Sequence, residues 1–459
     1  MSAYNKDSAI AAPATPVGRG GVAIVRVSGS DLKELSIKLT KKNIKPRFAT
    51  HCNFYDIHEE VIDKGVFILF PGPNSYTGED VLELHCHGSP VIVAAIMDTL
   101  CMHGVKVAEP GEFTKRAFLN GKMSLCQAEA VADVISANSM QASKLAMRSL
   151  SGDFLARVSE IVNLITSLRV YVEASLDFVE EELDLLHVEE ILKRLDNVCE
   201  LLTVLLSQAE YGERMRNSEK IVLVGDTNVG KSSIFNKLSR QKSAIVTNVA
   251  GTTRDIINKE IVLDKHGTVI DLFDTAGIRN TEDVVEKEGI ARSKEQLSTS
   301  DIIVIVFDAT KYVSGDYARF ISQLGSGPKL PVKIITVFNK IDLVPYFKAP
   351  EVDKLSNVVN ISAKSGSGMT QLATAIKDML QRSDNSNEQN FMARKRHVIS
   401  LQKAKETAAS AQKEFIELRA AELLAENLRV VQDYLGEITG EVSSDDLLGE
   451  IFSSFCVGK

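Results

Sequence analysis

The segment KIVLVGDTNVGKSS at 220–233 constrains the chain more than any other. An apolar run suited to a buried strand leads into G-x-x-x-x-G-K-S, and a helical sequence, SIFNKLSR, follows. Strand, glycine loop and helix in that order predict a P-loop in an α/β unit. Gly225 and Gly230 let the backbone close around an anion, so that N–H groups and the helix N-terminus face a phosphate. Asn228, Val229 and Ser233 belong to the same phosphate-facing stretch. Lys231 can reach the β- and γ-phosphates, and the Ser232 hydroxyl is placed for Mg²⁺.

Downstream motifs narrow the nucleotide. GTTRD at 251–255 offers Thr253 as a second Mg²⁺ ligand that also senses the γ-phosphate, with Thr252 beside it. VIDLFDTAG at 269–277 is a strand ending in Asp274, which would hold Mg²⁺ through water. Thr275 and Ala276 then lead to Gly277, whose N–H meets the γ-phosphate. IITVFNKID at 334–342 ends a strand in Asn339, Lys340 and Asp342. An Asp there accepts from guanine N1–H and the 2-amino group, which adenine cannot supply. A buried acceptor left unsatisfied costs about 1–3 kcal/mol, enough to select GTP over ATP. Ser362, Ala363 and Lys364 can close over the base edge. One such motif is equally a turn between strand and helix; the ordered set, each at a strand end, predicts a GTP-hydrolysing domain.

How the attacking water is oriented is left open by these residues. The position after D-x-x-G, where many small GTPases place Gln, holds Ile278. Glu282, Asp283, Glu286, Arg279 and Arg254 are the nearby candidates.

Around this unit the chain changes character. Residues 1–121 carry short strand-like runs at 21–29, 65–70 and 80–88, separated by turns such as FPGPNSYTGED, and predict an α+β domain. VIVAAIMDTLCMHG at 91–104 predicts a helix ended by glycine. From 122 to 217, Leu155, Val158, Ile161, Val162, Ile165 and Leu168, then Ile191, Leu195, Val198, Leu201, Leu202 and Leu205, recur at helical spacing. The acidic stretch at 179–184 suits a solvated helix junction. Residues 218–383 form the nucleotide domain, and the polar segment 381–390 reads as a linker. From 384 to 459 helices return, with Leu423, Leu424, Leu428, Val431 and Leu435 expected on one stripe. Helices on both sides imply an α/β domain inserted into a discontinuous helical domain whose halves share a core.

A net charge of −8 argues against indiscriminate nucleic-acid binding, though not against a local patch such as ARKRH at 393–397. That segment is equally explained as a solvated helix start. The six cysteines contain no C-x-x-C pair, which suits a reducing compartment. The first residues lack the pattern of a signal peptide, and no apolar run reaches the ~18 residues of a membrane span. A cytoplasmic protein with no membrane partner is expected. His85 and His87 share a strand face, but no third ligand stands beside them in sequence, and ordinary strand histidines are expected.

With the motifs in place, the chain resembles the MnmE (TrmE) tRNA-modification GTPase family over essentially its whole length. The carrying segments are ATPVGRGG, FPGPNSYTGEDVLEL, GEFTKRAFLNGK, QAEAVADVI, TNVAGTTRD, DTAGIR and SSDDLLGEIFSSFCVGK. The resemblance implies an N-terminal folate-binding-like domain that dimerises the chain, the discontinuous helical domain and an inserted Ras-like G domain. It implies work with an FAD-dependent MnmG-type partner, in a heterotetramer or larger complex. The product would be aminomethyl or carboxymethylaminomethyl at C5 of the tRNA wobble uridine, with the one-carbon unit from a tetrahydrofolate derivative.

By motif, Asn228, Thr247, Val249 and Thr252 match the family's K⁺ site, and Glu286 matches its water-positioning acid. Arg26, Glu83, Lys122 and Lys459 match its folate contacts, while Cys456 matches a cysteine proposed for the chemistry and is equally a small apolar tail residue. Val457 stands where Ile is usual, Asp226 and Thr227 fall at variable P-loop positions, and Val229 replaces a small residue. A regulatory switch GTPase that binds RNA or ribosomes without modifying a base is the competing function.

Overall fold

The computed structural model describes residues 8–137, 139–177, 185–216, 219–239, 257–262, 269–274, 300–324, 333–350, 356–380, 390–440, 445–453, 455 and 458. The acidic stretch 179–184 and most of the linker 381–390 lie outside them. The chain divides into two compact units. One comprises Met1–Ser136, Ala146–Glu210 and Phe391–Lys459; the other comprises Ala137–Leu145 and Tyr211–Asn390.

The first unit opens with strands β1 (Ile10–Pro13), β2 (Gly20–Gly29), β3 (Thr50–Tyr55), β4 (Val61–Phe70), β5 (Asp80–Gly88) and β6 (Lys106–Val107). They form one sheet in the order β3-β4-β5-β2-β1-β6, antiparallel except for the β1–β6 pair. Strict alternation explains its two faces. Val25, Val27, Leu82, Leu84 and Cys86 are buried with Ile96 and Leu100 of the helix Pro90–Met102. Arg26, Glu83 and His85 take the other face. That helix starts on a proline and stops just before Gly104, as the glycine-ended pattern predicts.

The helices Asp153–Asp177, Leu185–Arg216, Lys395–Leu418 and Ala421–Thr439 bury one shared core, so residues before and after the second unit pack together. Two details depart from expectation. Leu423 is 40% exposed, because the buried row runs through Ala421, Leu424, Leu428, Val431 and Leu435 and leaves Leu423 on its flank. At the start of Asp153–Asp177, Phe154 rather than Leu155 is fully buried; its ring stacks on Phe391 with centroids 4.5 Å apart.

The expected basic patch at 393–397 is a buried ion cluster. Arg396 donates from Nε and Nη2 to the two Glu129 carboxylate oxygens, each at 2.7 Å, and from Nη1 to the Glu437 carbonyl. Arg394 Nη2 lies 2.9 Å from Asp133, and His397 Nε2 lies 2.9 Å from Glu129. The segment does begin a helix, with Lys395 exposed, but Arg394, Arg396 and His397 are turned onto acids rather than left solvated. Their charges are spent on the helix Leu125–Ser136, which carries both acids.

The second unit is a doubly wound sheet. Its strands are β7 (Glu219–Val224), β8 (Ile257–Val262), β9 (Val269–Asp274), β10 (Ile302–Asp308), β11 (Ile334–Asn339) and β12 (Ser356–Asn360), in the order β12-β11-β10-β7-β9-β8. All neighbours are parallel except β8, which runs antiparallel to β9 at one edge. β10 is buried at every position, as a central parallel strand covered on both faces must be.

Candidate nucleotide-binding site

Open parallel sheets bind ligands beyond the carboxyl ends of their strands. There the described parts of the predicted motifs converge. β7 delivers Gly225, β9 ends on Asp274, β10 on Asp308 and β11 on Asn339, and Ser362 follows β12. Asp274 is the register partner of Leu223, which sets it beside the start of the glycine loop.

The loop is held from both sides. Lys231 is buried, and its ammonium donates to the carbonyls of Gly225 at 2.7 Å and Asp226 at 2.9 Å, so the charge lies over the loop. Asn228 sits at φ 65° and exposed, where a short polar side chain tolerates the left-handed region. Gly230 stands at φ 101°, and a Cβ there would come within 2.2 Å of Asn339 Nδ2. Glycine is therefore required by both conformation and contact. Ser232 and Ser233 are exposed in the first turn of the helix Lys231–Ser239.

Asn339 ties three motifs together. It is buried; Nδ2 donates to the Val229 carbonyl at 2.8 Å, and Oδ1 accepts from the Ala363 N–H at 2.9 Å. One amide thus joins the glycine loop, the N-K-x-D strand end and the S-A-K turn. That turn closes on itself as Ser362 Oγ accepts from Ser365 N and the Ser362 carbonyl accepts from Gly366 N. Asp342 and Lys364 are exposed. Asn339→Ala would orphan a buried carbonyl and a buried N–H, and is expected to destabilise the protein by about 1–3 kcal/mol in denaturant unfolding. Asn339→Asp keeps the acceptor for Ala363 but sets a buried carboxylate oxygen against the Val229 carbonyl, and is expected to destabilise as well. Equal stability of wild type and Asn339→Ala would contradict the strut.

Asp308 escapes a motif-based reading, although an acid ending the otherwise apolar IIVIVFD is the available signal. It is buried and accepts from Lys340 Nζ at 2.7 Å and from Thr310 N and Oγ1 at 3.0 and 2.7 Å. Burial works to raise its carboxyl, but these bonds outweigh burial and hold it below the ordinary range.

The other expected residues fall elsewhere or outside the described residues. Thr247, Val249, Thr252, Thr253, Thr275, Ala276, Gly277, Glu286, Cys456 and Lys459 are outside. In the first unit, Arg26 and Glu83 are register partners on β2 and β5, with Nη2 to Oε1 at 2.9 Å. The Arg26 guanidinium lies 5.3 Å from the Tyr76 ring centroid. Lys122 is exposed. His85 pairs with Glu83 and His87 with Asp63, giving each a carboxylate neighbour. Gly458 lies against this sheet, since a Cβ on it would meet the Pro13 carbonyl at 2.2 Å. The next residue back on β1, Ala12, is the register partner of Arg26.

A glycine loop between strand and helix, at the carboxyl edge of a parallel sheet, defines a P-loop nucleotide-binding protein. Two family models match, described as "GTP-binding protein TrmE N-terminus" over residues 9–122 and "MnmE helical domain" over residues 125–456. The chain belongs to the MnmE family. It is 44% identical over 450 residues to the tRNA modification GTPase MnmE of Coxiella burnetii, covering 98% of each chain. The protein of that name from Francisella tularensis subsp. holarctica is 43% identical over 462 residues, with 99% of this chain and 100% of the other covered. That from Nitrosomonas eutropha is 44% identical over 457 residues, with 99% and 100% covered.

Proposed function

We propose that the second unit binds and hydrolyses GTP, and that hydrolysis drives modification of tRNA. In full, the chain works with an FAD-dependent MnmG-type partner to form aminomethyl or carboxymethylaminomethyl uridine at the wobble position. Family membership supports the tRNA role. The observation that carries the nucleotide reading is the Asn339 strut, which joins a phosphate loop to a base-closing turn at one sheet edge.

The donor set suits the ions proposed. Ser232, exposed at the helix start, would with Thr253 and Asp274 supply oxygen to Mg²⁺, which neutralises phosphate charge. Asn228, exposed on the rim of the loop, would with Thr247, Val249 and Thr252 hold K⁺, a positive charge set against the transferring phosphoryl group. Lys231 then holds the β- and γ-phosphates, Asp342 selects the base, and Glu286 orients the attacking water. GTP turnover is expected to be much faster in KCl than in NaCl at equal ionic strength. Equal rates would remove the potassium assignment.

In the first unit, Arg26 and Glu83 lie partly open beside the Tyr76 ring, a polar pair next to an aromatic face. Together with Lys122 and Lys459 they would hold a tetrahydrofolate derivative, whose contribution is the one-carbon unit. The seating of Gly458 on Pro13 supports a tail that ends near this pair, and Cys456 would act there. The chain would work as a cytoplasmic homodimer through its N-terminal domains. The domain limits proposed are 1–121, 122–217, 218–383 and 384–459. Among the described residues, no helix is long and apolar enough to cross a membrane.

The switch alternative loses the support of ARKRH, whose Arg394, Arg396 and His397 are committed to buried acids. Mass spectrometry of wobble uridine from cells with and without the gene tests the proposal. Loss of the C5 substituent is expected, whereas unchanged nucleosides would return the switch reading.

A further inference from the structure

We propose that Asp308 is a positioning residue for guanine selection, acting through Lys340 to fix the turn that carries Asp342. The inference rests on the GTP reading above and adds a residue that none of its motifs contains.

The turn after β11 departs from the sheet abruptly. Asn339 ends the strand, and Lys340 stands in the left-handed region at φ 67°. A single 3₁₀ turn, Ile341–Leu343, then carries Asp342, with Leu343 N donating to the Lys340 carbonyl at 3.0 Å. A non-glycine residue at positive φ persists only where its surroundings hold it. Here the holding groups are identifiable. Ala309 N donates to the Asn339 carbonyl at 2.9 Å, Ile341 N reaches the Ile361 carbonyl at 3.3 Å, and Lys340 Nζ donates to Asp308 Oδ2 at 2.7 Å. The last anchors the Lys340 side chain. It runs to an acid that is only 7% exposed, whose other oxygen is already filled by Thr310.

A pair of this kind adds little net stability, because desolvation of the charges offsets their attraction. Its consequence is geometric. β10 and β11 are neighbours in register, with Asp308 opposite Asn339, so the carboxylate is a fixed post at the sheet edge. The Lys340 side chain is tethered to that post, and its backbone begins the turn whose next polar group is Asp342. Asp342 itself is exposed, so its aim depends on where the turn leaves the sheet. Releasing Lys340 therefore loosens recognition of the guanine 2-amino and N1–H groups more than it weakens the hold on the triphosphate. Lys231 and the glycine loop provide that hold.

The test measures equilibrium binding of GTP, ITP and ATP to the full chain carrying Asp308→Asn, Lys340→Met or both. ITP lacks only the 2-amino group, so the GTP-to-ITP affinity ratio reports the Asp342 contact. Asp308→Asn keeps the size and an acceptor for Thr310 but gives up the charge that holds Lys340. We expect it to lower the GTP-to-ITP ratio about 5- to 10-fold, a partial rather than full loss of a hydrogen bond to a charged group. ITP, which keeps the N1–H contact, should lose less affinity than GTP, and ATP, which makes neither contact, should barely change. Lys340→Met should lower the ratio similarly, and the double variant should fall little further, since both changes remove one contact. An equal fall for all three nucleotides would show a structural role only, and an unchanged ratio or additive losses would likewise overturn the inference. A wild-type protein with no preference for GTP over ATP would instead defeat the underlying GTP reading, and the two failures are thereby separable.

Discussion

Glu286→Ala is expected to bind GTP nearly as wild type does and to hydrolyse it roughly 10²- to 10⁴-fold more slowly, the usual range for a positioned acid–base group. At Ile278 an apolar side chain stands where many small GTPases place a water-orienting Gln. An apolar group neither accepts a proton from water nor aligns it with the γ-phosphorus. The task must therefore pass to another side chain near the switch, and a carboxylate is suited to it by charge and by lone pairs. Binding should be spared because the contacts proposed to hold nucleotide lie in the glycine loop, the N-K-x-D turn and the S-A-K turn, none of which includes Glu286. Single-turnover hydrolysis beside equilibrium binding separates the two effects. Glu286→Gln divides the roles further. An amide can orient water but has little basicity, so partial activity would mark an orienting role and an alanine-like loss would mark a base. Wild-type turnover in Glu286→Ala would return the task to Glu282, Asp283, Arg279 or Arg254.

Much of this arrangement was legible before any fold was known, and the reason is local chemistry. A glycine loop, a D-x-x-G strand end and an N-K-x-D turn are short because each requirement is met within a few residues of chain. Amphipathic periodicity likewise located the long helices, and it erred by one position at Leu423 and Leu155 because a stripe sloping across a helix blurs by one residue. What stayed hidden was long-range. Nothing in VFDAT shows that Asp308 meets Lys340, since that contact needs β10 and β11 in register. Nor does Asn339 announce that its amide turns inward to Val229 and Ala363. The segment at 393–397 misled for the same reason. Its acids lie some 260 residues earlier, at Glu129 and Asp133, and only a shared core brings them together.

That cluster gives the largest stability effect expected. Glu129→Gln is predicted to destabilise the protein by about 3–5 kcal/mol, the scale for removing one partner of a buried ion pair. Glu129 is 1% exposed and carries two bonds from Arg396, so its loss leaves that guanidinium facing a neutral amide. Arg394 keeps Asp133, and the damage should centre on Arg396.

The pH dependence has a definite sign. Burial works to raise the Glu129 carboxyl, yet the His397 ring and the Arg396 bonds overcome it and hold the group well below the ordinary carboxylate range. Its contribution is therefore full above the unfolded value of about 4.3 and is lost as pH falls below that. His397 is pushed down by burial, and its Nδ1 accepts from Arg394 N at 3.1 Å, which keeps that nitrogen unprotonated. The unfolded chain takes up a proton near pH 6.5 that the fold refuses, so stability also declines as pH falls through about 6.5. Acid destabilisation should thus begin near pH 6.5 and steepen below about 4.3. His397→Gln should flatten the upper limb and leave a shallower lower limb carried by the Arg396 bonds, as urea unfolding from neutral pH to below the ordinary carboxylate range can measure. A wild-type stability curve level from pH 7 to 5 would remove His397 from this account, and a Glu129→Gln variant as stable as wild type would remove the cluster.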